Sequence, residues 1–125
     1  MTVSRRQRGA LARKQGHRAE WFAAFWLMWR GWRIVAFRYR TRYGEIDLVA
    51  RKRDVLAVIE VKRRATLEDA LAAVKPAQRH RLLRAATALA AARADCRELY
   101  VRLDLIAIAP WRFPVHIENA WGEAL

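Results

Sequence analysis

Asp47 in GEIDLV, and Glu60 and Lys62 in IEVK, are the residues of this 125-residue chain whose types and spacing could do chemistry together. On a strand, residues two apart project to the same side, so Glu60 and Lys62 point together. If the strands carrying Asp47 and Glu60 pair as a hairpin around residues 52–54, Asp47 falls near the level of Glu60. Two carboxylates that close repel unless a cation bridges them or one keeps a proton. A hydrated Mg²⁺ (or Mn²⁺) suits the first solution, because it takes one or two carboxylates and keeps water and phosphate ligands. Such an ion acidifies a water and offsets charge on a phosphodiester. Lys62 can hold that water or neutralise the developing negative charge. The plain alternative is an ordinary Glu–Lys strand pair with Asp47 at a solvated strand end, worth about 0–1 kcal/mol when exposed. The setting favours chemistry: charges that interrupt the apolar run VLAVI are costly unless paired or ligated.

The elements that must position these residues can be read from periodicity and punctuation. Residues 16–30 carry a helical pattern, and Gly31 supplies its stop. The apolar stretch Trp21 to Trp29 runs round the whole circumference, so that helix should be buried on more than one side or covered by a partner. Residues 32–39 form a first strand and Thr41 to Gly44 a turn. Residues 45–51 form a second strand, with Glu45, Asp47 and Val49 on one face and Ile46, Leu48 and Ala50 on the other. Lys52, Arg53 and Asp54 connect it to a third strand, Val55 to Lys62, whose apolar run marks a central strand buried on both faces. Thr66, with Asp69 three residues on, opens a short helix. Pro76 starts the next, which runs to about Ala94 with positions 78, 82, 86, 89 and 93 on one stripe. Leu99 to Ala109 alternate as a fourth strand, and residues 114–118 add an edge strand. Trp121 should pack back on the core.

Composition bounds the partner. The net charge is +13 and the sequence pI about 11.4. A compact domain so charged favours a polyanion, with nucleic acid ahead of an anionic membrane surface. The one cysteine, Cys96, excludes an intrachain disulfide and a multi-thiolate zinc site, and fits a reducing cytoplasm. His17, His80 and His116 lack ligand spacing, so a metal would need oxygen donors. The apolar run at 21–29 is far short of the roughly 20 residues of a membrane span, and no cleavage site follows it. Residues 1–15 hold five basic and no acidic side chains, which reads as a basic N-terminal arm before a single domain over 16–125.

The stretch GEIDLVARKRDVLAVIEVKRR resembles the signature of the YraN-like family, small bacterial proteins related to the PD-(D/E)xK nucleases. The resemblance runs from about Gly16 to Trp121. It implies an α/β, restriction-endonuclease-like fold, a central mixed β-sheet flanked by helices, similar also to archaeal Holliday-junction resolvases. The family's Asp followed by Glu-x-Lys matches Asp47, Glu60 and Lys62. Its Gly-x-x-Ala-Glu element matches Gly16, Ala19 and Glu20, which makes Glu20 a candidate third metal ligand. Its Lys-Gln-Arg-Arg-Leu-like helix start is matched in part by Gln78, Arg79, Arg81 and Leu82, which makes Gln78 a candidate at the site. Arg102, Leu103 and Asp104 stand for its Arg-Phe-Asp strand, and His116 to Trp121 for its closing motif. Three departures stand out. Arg38 replaces the usual Asn, Ala77 the Lys before the Gln, and Glu68, Asp69 and Ala70 stand where a glycine pair is usual.

The resulting expectation is a Mg²⁺-dependent endonuclease acting on DNA, branched or recombining DNA included. The alternative is a nucleic-acid-binding module that keeps the fold without turnover. Catalytic candidates are Asp47, Glu60, Lys62 and Gln78, and metal candidates Glu20, Asp47 and Glu60. Arg38, Arg40, Arg42, Arg63, Arg64, Arg79 and Arg81 are the candidate nucleic-acid contacts. Arg102 and Asp104 share a strand face and read best as a structural salt bridge. The tryptophans at 21, 26, 29 and 32 read as core or partner interface. A homodimer and a protein partner on the aromatic helix stay open, and no membrane partner is expected.

Overall fold

The computed structural model describes residues 18–110 and 112–122. The basic arm expected over 1–15 and the expected helix start at Gly16 lie outside the described residues. Helix α1 covers residues 18–29. It is followed by β1 (Arg33–Thr41), β2 (Gly44–Lys52), β3 (Val55–Arg63), α2 (Leu67–Ala72), α3 (Pro76–Ala92), a single 3-10 turn (Ala94–Cys96), β4 (Tyr100–Ile108) and β5 (Val115–Ile117). The strands form one sheet in the order β1-β2-β3-β4-β5. Only β3 and β4 run parallel; the other neighbours are antiparallel. This is the mixed sheet flanked by helices of a restriction-endonuclease-like fold.

Local chemistry sets the boundaries. At the end of α1, Gly31 adopts φ 90°, its N–H donates to Met28 O, and the Trp32 N–H donates to Leu27 O. That pair of bonds is a Schellman stop, which needs a residue tolerant of positive φ. Lys52 Nζ donates to Arg30 O at 2.9 Å and ties the same end to β2. Thr66 Oγ1 accepts from Asp69 N and caps α2, and Pro76 occupies the first turn of α3. Both hairpin turns are tighter than expected, Arg42–Tyr43 and Arg53–Asp54, with Arg53 at φ 56°. β1 therefore runs two residues beyond the expected 39, while α3 stops two short of Ala94.

The sheet has two buried faces. Leu56, Val58 and Leu103 pack under α3 with Leu82, Leu83, Ala86 and Leu89. Ala57, Ile59, Ile106 and Ile108 pack under α1 with Ala23, Ala24, Leu27 and Trp32. β3 thus lies at the centre and is buried on both faces, as its apolar run predicts. Trp121 packs against the core and donates Nε1–H to Leu71 O at 3.1 Å. β4 alternates cleanly: Leu103 faces α3, while Ile106 and Ile108 face α1.

The strict alternation expected for β2 fails at one place. Ile46 joins the α3-side core, whereas Leu48 and Ala50 join the α1 side. β1 does the same, with Tyr39 on the α3 side and Phe37 on the α1 side. Between the two members of that second pair stands Arg38 at φ 48°, a left-handed residue that reverses the pleat. The position where this chain departs from the family's Asn is therefore one whose backbone Asn adopts more readily than Arg.

Helix α1 is not buried all round. Ala23, Ala24 and Leu27 face the sheet, while Trp21, Phe22, Phe25, Met28 and Trp29 are exposed. Small residues on the inner face let the helix lie close to the sheet, which leaves the bulky ones outside. Among the described residues no helix is long and apolar enough to cross a membrane.

Candidate active site

The break in alternation sits where the candidate residues gather. The β2–β3 ladder is regular up to Leu48 opposite Ile59. Beyond it, the Val61 N–H donates to Asp47 Oδ2 at 3.0 Å. The Asp47 side chain thus bridges to β3 where the pairing ends, one register step from Glu60. Glu60 and Lys62 lie on the α3 side of β3, with Lys62 Nζ 3.7 Å from Glu60 Oε1. From the first turn of α3, Gln78 Nε2 donates to the same Oε1 at 3.2 Å. Gln78 is thus joined to the Glu60 carboxylate itself. Glu20 reaches the group from α1, with Arg38 Nε 3.8 Å from its Oε2.

The electrostatics are those of a crowded acidic pocket. Glu60 is only 4% exposed. Burial, reinforced by the Asp47 charge, raises its pKa to about 8, against the pull of Lys62. Asp47 is also raised by burial, although the Val61 N–H, Glu60 and Lys62 oppose the shift. Burial and the Asp47 charge raise Glu20 to about 7. Without a cation, the group therefore keeps protons that free carboxylates would release at neutral pH. Oε2 of Glu20 and Oε2 of Glu60 are buried without a hydrogen-bond partner. Such orphaned acceptors suit a cation or its coordinated waters. Among the described residues no three His, Cys, Asp or Glu side chains close into a ready ligand cage. An ion here would draw on the carboxylates of Asp47, Glu60 and Glu20, an oxygen donor set that fits Mg²⁺ or Mn²⁺ and not zinc.

The candidate nucleic-acid arginines divide. Arg38 and Arg40 both approach Glu45, at 3.3 and 3.7 Å. Arg42 lies 4.8 Å over the Tyr43 ring, and Arg79 5.7 Å over Trp121. Arg64 donates to Arg63 O at 2.7 Å. Arg63 and Arg81 are exposed. Glu45, as the partner of two arginines, was missing from the candidate set; its place on β2 two residues before Asp47 is the signal that marks it.

A second polar cluster lies on the α1 side of β4. Asp104 is fully buried and accepts from Arg102 Nε and Nη2 at 2.8 and 2.9 Å. It also accepts from the Asn119 N–H at 2.9 Å and lies 2.8 Å from His116 Nε2. Burial works to raise its pKa, but the bonds from His116, Arg102 and Asn119 outweigh it and hold the carboxyl below its usual range. The salt bridge read from sequence is present, and His116, which had no assigned role, completes it. Only the β4–β5 register, with Ile106 opposite His116, brings that ring to Asp104.

Known proteins are similar to this chain in sequence over most of its length. Residues 19–108 match the uncharacterised protein family UPF0102. A UPF0102 protein of Caulobacter vibrioides is 62% identical over 120 residues, covering 96% of each chain. One from Mesorhizobium japonicum is 46% identical over 110 residues, 88% of each. Another, from Maricaulis maris, is 46% identical over 121 residues, 97% of this chain and 92% of its own. With Asp47, Glu60, Lys62 and Glu20 all inside the matched span, the chain belongs to the UPF0102 family.

Proposed function

We propose that the protein is a metal-dependent nuclease that hydrolyses phosphodiester bonds in DNA, branched or recombining DNA included. The observation that carries the reading is the pair Asp47 and Glu60, a partly buried and a buried carboxylate at the end of the β2–β3 ladder, with Lys62 beside them. A purely structural role explains this poorly, because burial and the Asp47 charge raise the pKa of Glu60, whose Oε2 is left buried and unpaired. Mg²⁺ or Mn²⁺, which Asp47, Glu60 and Glu20 would hold, would supply Lewis acidity toward the phosphate and acidify a water. Asp47 is fixed for this by the Val61 N–H, and Glu60 by Gln78 and Lys62. Lys62 neutralises charge that builds on the phosphate oxygens, where burial strengthens its effect. Arg63, Arg64 and Arg81 supply phosphate contacts around the site. The proposed compartment is the cytoplasm, in keeping with a single buried thiol.

The net charge of +13 also supports a second reading, a binding module without turnover. Cleavage time courses on linear, nicked, flapped and four-way DNA, with Mg²⁺, Mn²⁺ or EDTA, separate the two. Metal-dependent cutting lost in Asp47→Asn is the expected result. Binding of every form with no cutting by the wild type gives the second reading instead.

A further inference from the structure

We propose that a groove on the α1 side of the sheet, at the ends of β3 and β4, holds an unpaired DNA strand, so that the preferred DNA carries a single-stranded segment. The proposal rests on reading the carboxylate site as one that acts on nucleic acid. The groove has a volume of about 610 Å³ and lies between the start of α1 and the ends of β3 and β4. Arg18, Arg63 and Arg112 line it together with Phe22, Phe113 and Pro110. Two of the elements that build it, α1 and β3, also carry residues of the site. Glu20 lies between Arg18 and Phe22 on α1, and Lys62 precedes Arg63 on β3. Successive strand residues face opposite ways, so Lys62 points to the carboxylates and Arg63 to the groove.

The lining selects the occupant. Among the described residues none of the three guanidinium groups meets a carboxylate. Three unpaired cations in one groove attract a polyanion and repel a second copy of a chain with net charge +13. Phe113 is 79% exposed and is backed by Trp26, with ring centroids 5.6 Å apart. Phe22 is half exposed on the same side. A ring held from behind with its other face free is a stacking surface. Bases inside a duplex already have both faces covered, so such a ring can stack only on a base that has left the helix. Arginines that track the backbone beside exposed rings make a surface that accepts single strands of any sequence.

The test is fluorescence anisotropy of the full chain in EDTA, with a blunt duplex and the same duplex bearing a single-stranded tail. The wild type is expected to favour the tailed form about tenfold, the effect of roughly one stacked base. Phe113→Ala and Arg112→Gln should each remove most of that preference, and Phe113→Trp should keep it. Both positions are exposed, so folding is not at stake. Affinity of Phe113→Ala for the blunt duplex should stay within about twofold of the wild type. Equal wild-type affinity for both DNAs, retention of the preference in both variants, or no DNA binding overturns the proposal. So does a groove found closed by self-association in sedimentation. Because no metal is present, a tail preference without cleavage of any DNA would sink the nuclease reading and spare this one. Metal-dependent cleavage without a tail preference would do the reverse.

Discussion

At Lys62 and Asp47 binding and chemistry come apart. Asp47→Asn removes a negative charge near phosphate, so DNA should bind equally well or more tightly. Cleavage should fall by orders of magnitude, because the carboxylate pair loses a member. Lys62→Ala should abolish cleavage yet weaken binding only slightly, one phosphate contact among many. Gel-shift titrations beside cleavage time courses check both; cutting that persists in Asp47→Asn places the chemistry elsewhere. Glu60 gives a test that needs no substrate. Its folded pKa of about 8 lies above the unfolded value, so the folded state binds the extra proton between about pH 4.5 and 8. Stability therefore falls as pH rises through that window. Glu60→Gln cannot ionise and should escape the loss. In EDTA at pH 9 its thermal midpoint should exceed the wild type's by several degrees, roughly 4 °C for each 1 kcal/mol. At pH 5 the two should nearly coincide. A Glu60→Gln protein that melts lower than the wild type at pH 9 would mean that Glu60 is held as a satisfied ion pair with Lys62.

The elements were readable where pattern and packing agree. VLAVI predicts a central strand because both sheet faces are covered, and Thr66, Pro76 and Gly31 end elements by bonds local to the backbone. The flip at Arg38 and Asp47 was not readable, since alternation carries no sign that a left-handed residue reverses the pleat. Nor was the exposure of the outer face of α1, because an apolar run does not say which of its sides the sheet will cover. The Asp47, Glu60 and Lys62 cluster needed only one hairpin and was readable; the His116–Asp104 contact needed a long-range register and was not. Two stability measurements follow from these elements. At φ 48° a Cβ is strained, so Arg38→Gly should be more stable than Arg38→Ala by about 1 kcal/mol, the reverse of the usual strand order. An Ala variant equal to or better than Gly in urea titration would mean that the kink relaxes. Asp104→Ala strips Arg102, His116 and the Asn119 N–H of a shared acceptor and should cost about 3–5 kcal/mol. A loss below about 1 kcal/mol would mean that β5 and the residues after it are not held through Asp104.

Across the whole molecule, the net charge of +13 and the buried acids work on different ligands. The surface arginines attract a polyanion over a Debye length, about 8 Å at physiological salt, without regard to sequence. The acidic pocket repels that same polyanion unless a divalent cation enters it. Metal and DNA should therefore bind with positive coupling at the site, while salt weakens the rest of the DNA contact. Two measurements separate these contributions. The logarithm of the DNA association constant should fall linearly with the logarithm of salt concentration, with a slope near −0.9 for each phosphate neutralised on duplex. Replacing Arg63 and Arg64 together by Gln should flatten that slope by roughly two contacts, whereas Asp47→Asn should leave it unchanged. Mn²⁺ should raise the thermal midpoint of the free protein more at pH 8 than at pH 6, because at the lower pH protons already neutralise Glu20 and Glu60. That dependence should vanish when Asp47 and Glu60 are both made amides. Should Mn²⁺ stabilise the wild type and the double amide alike, the ion binds on the surface, and the carboxylates serve the fold alone.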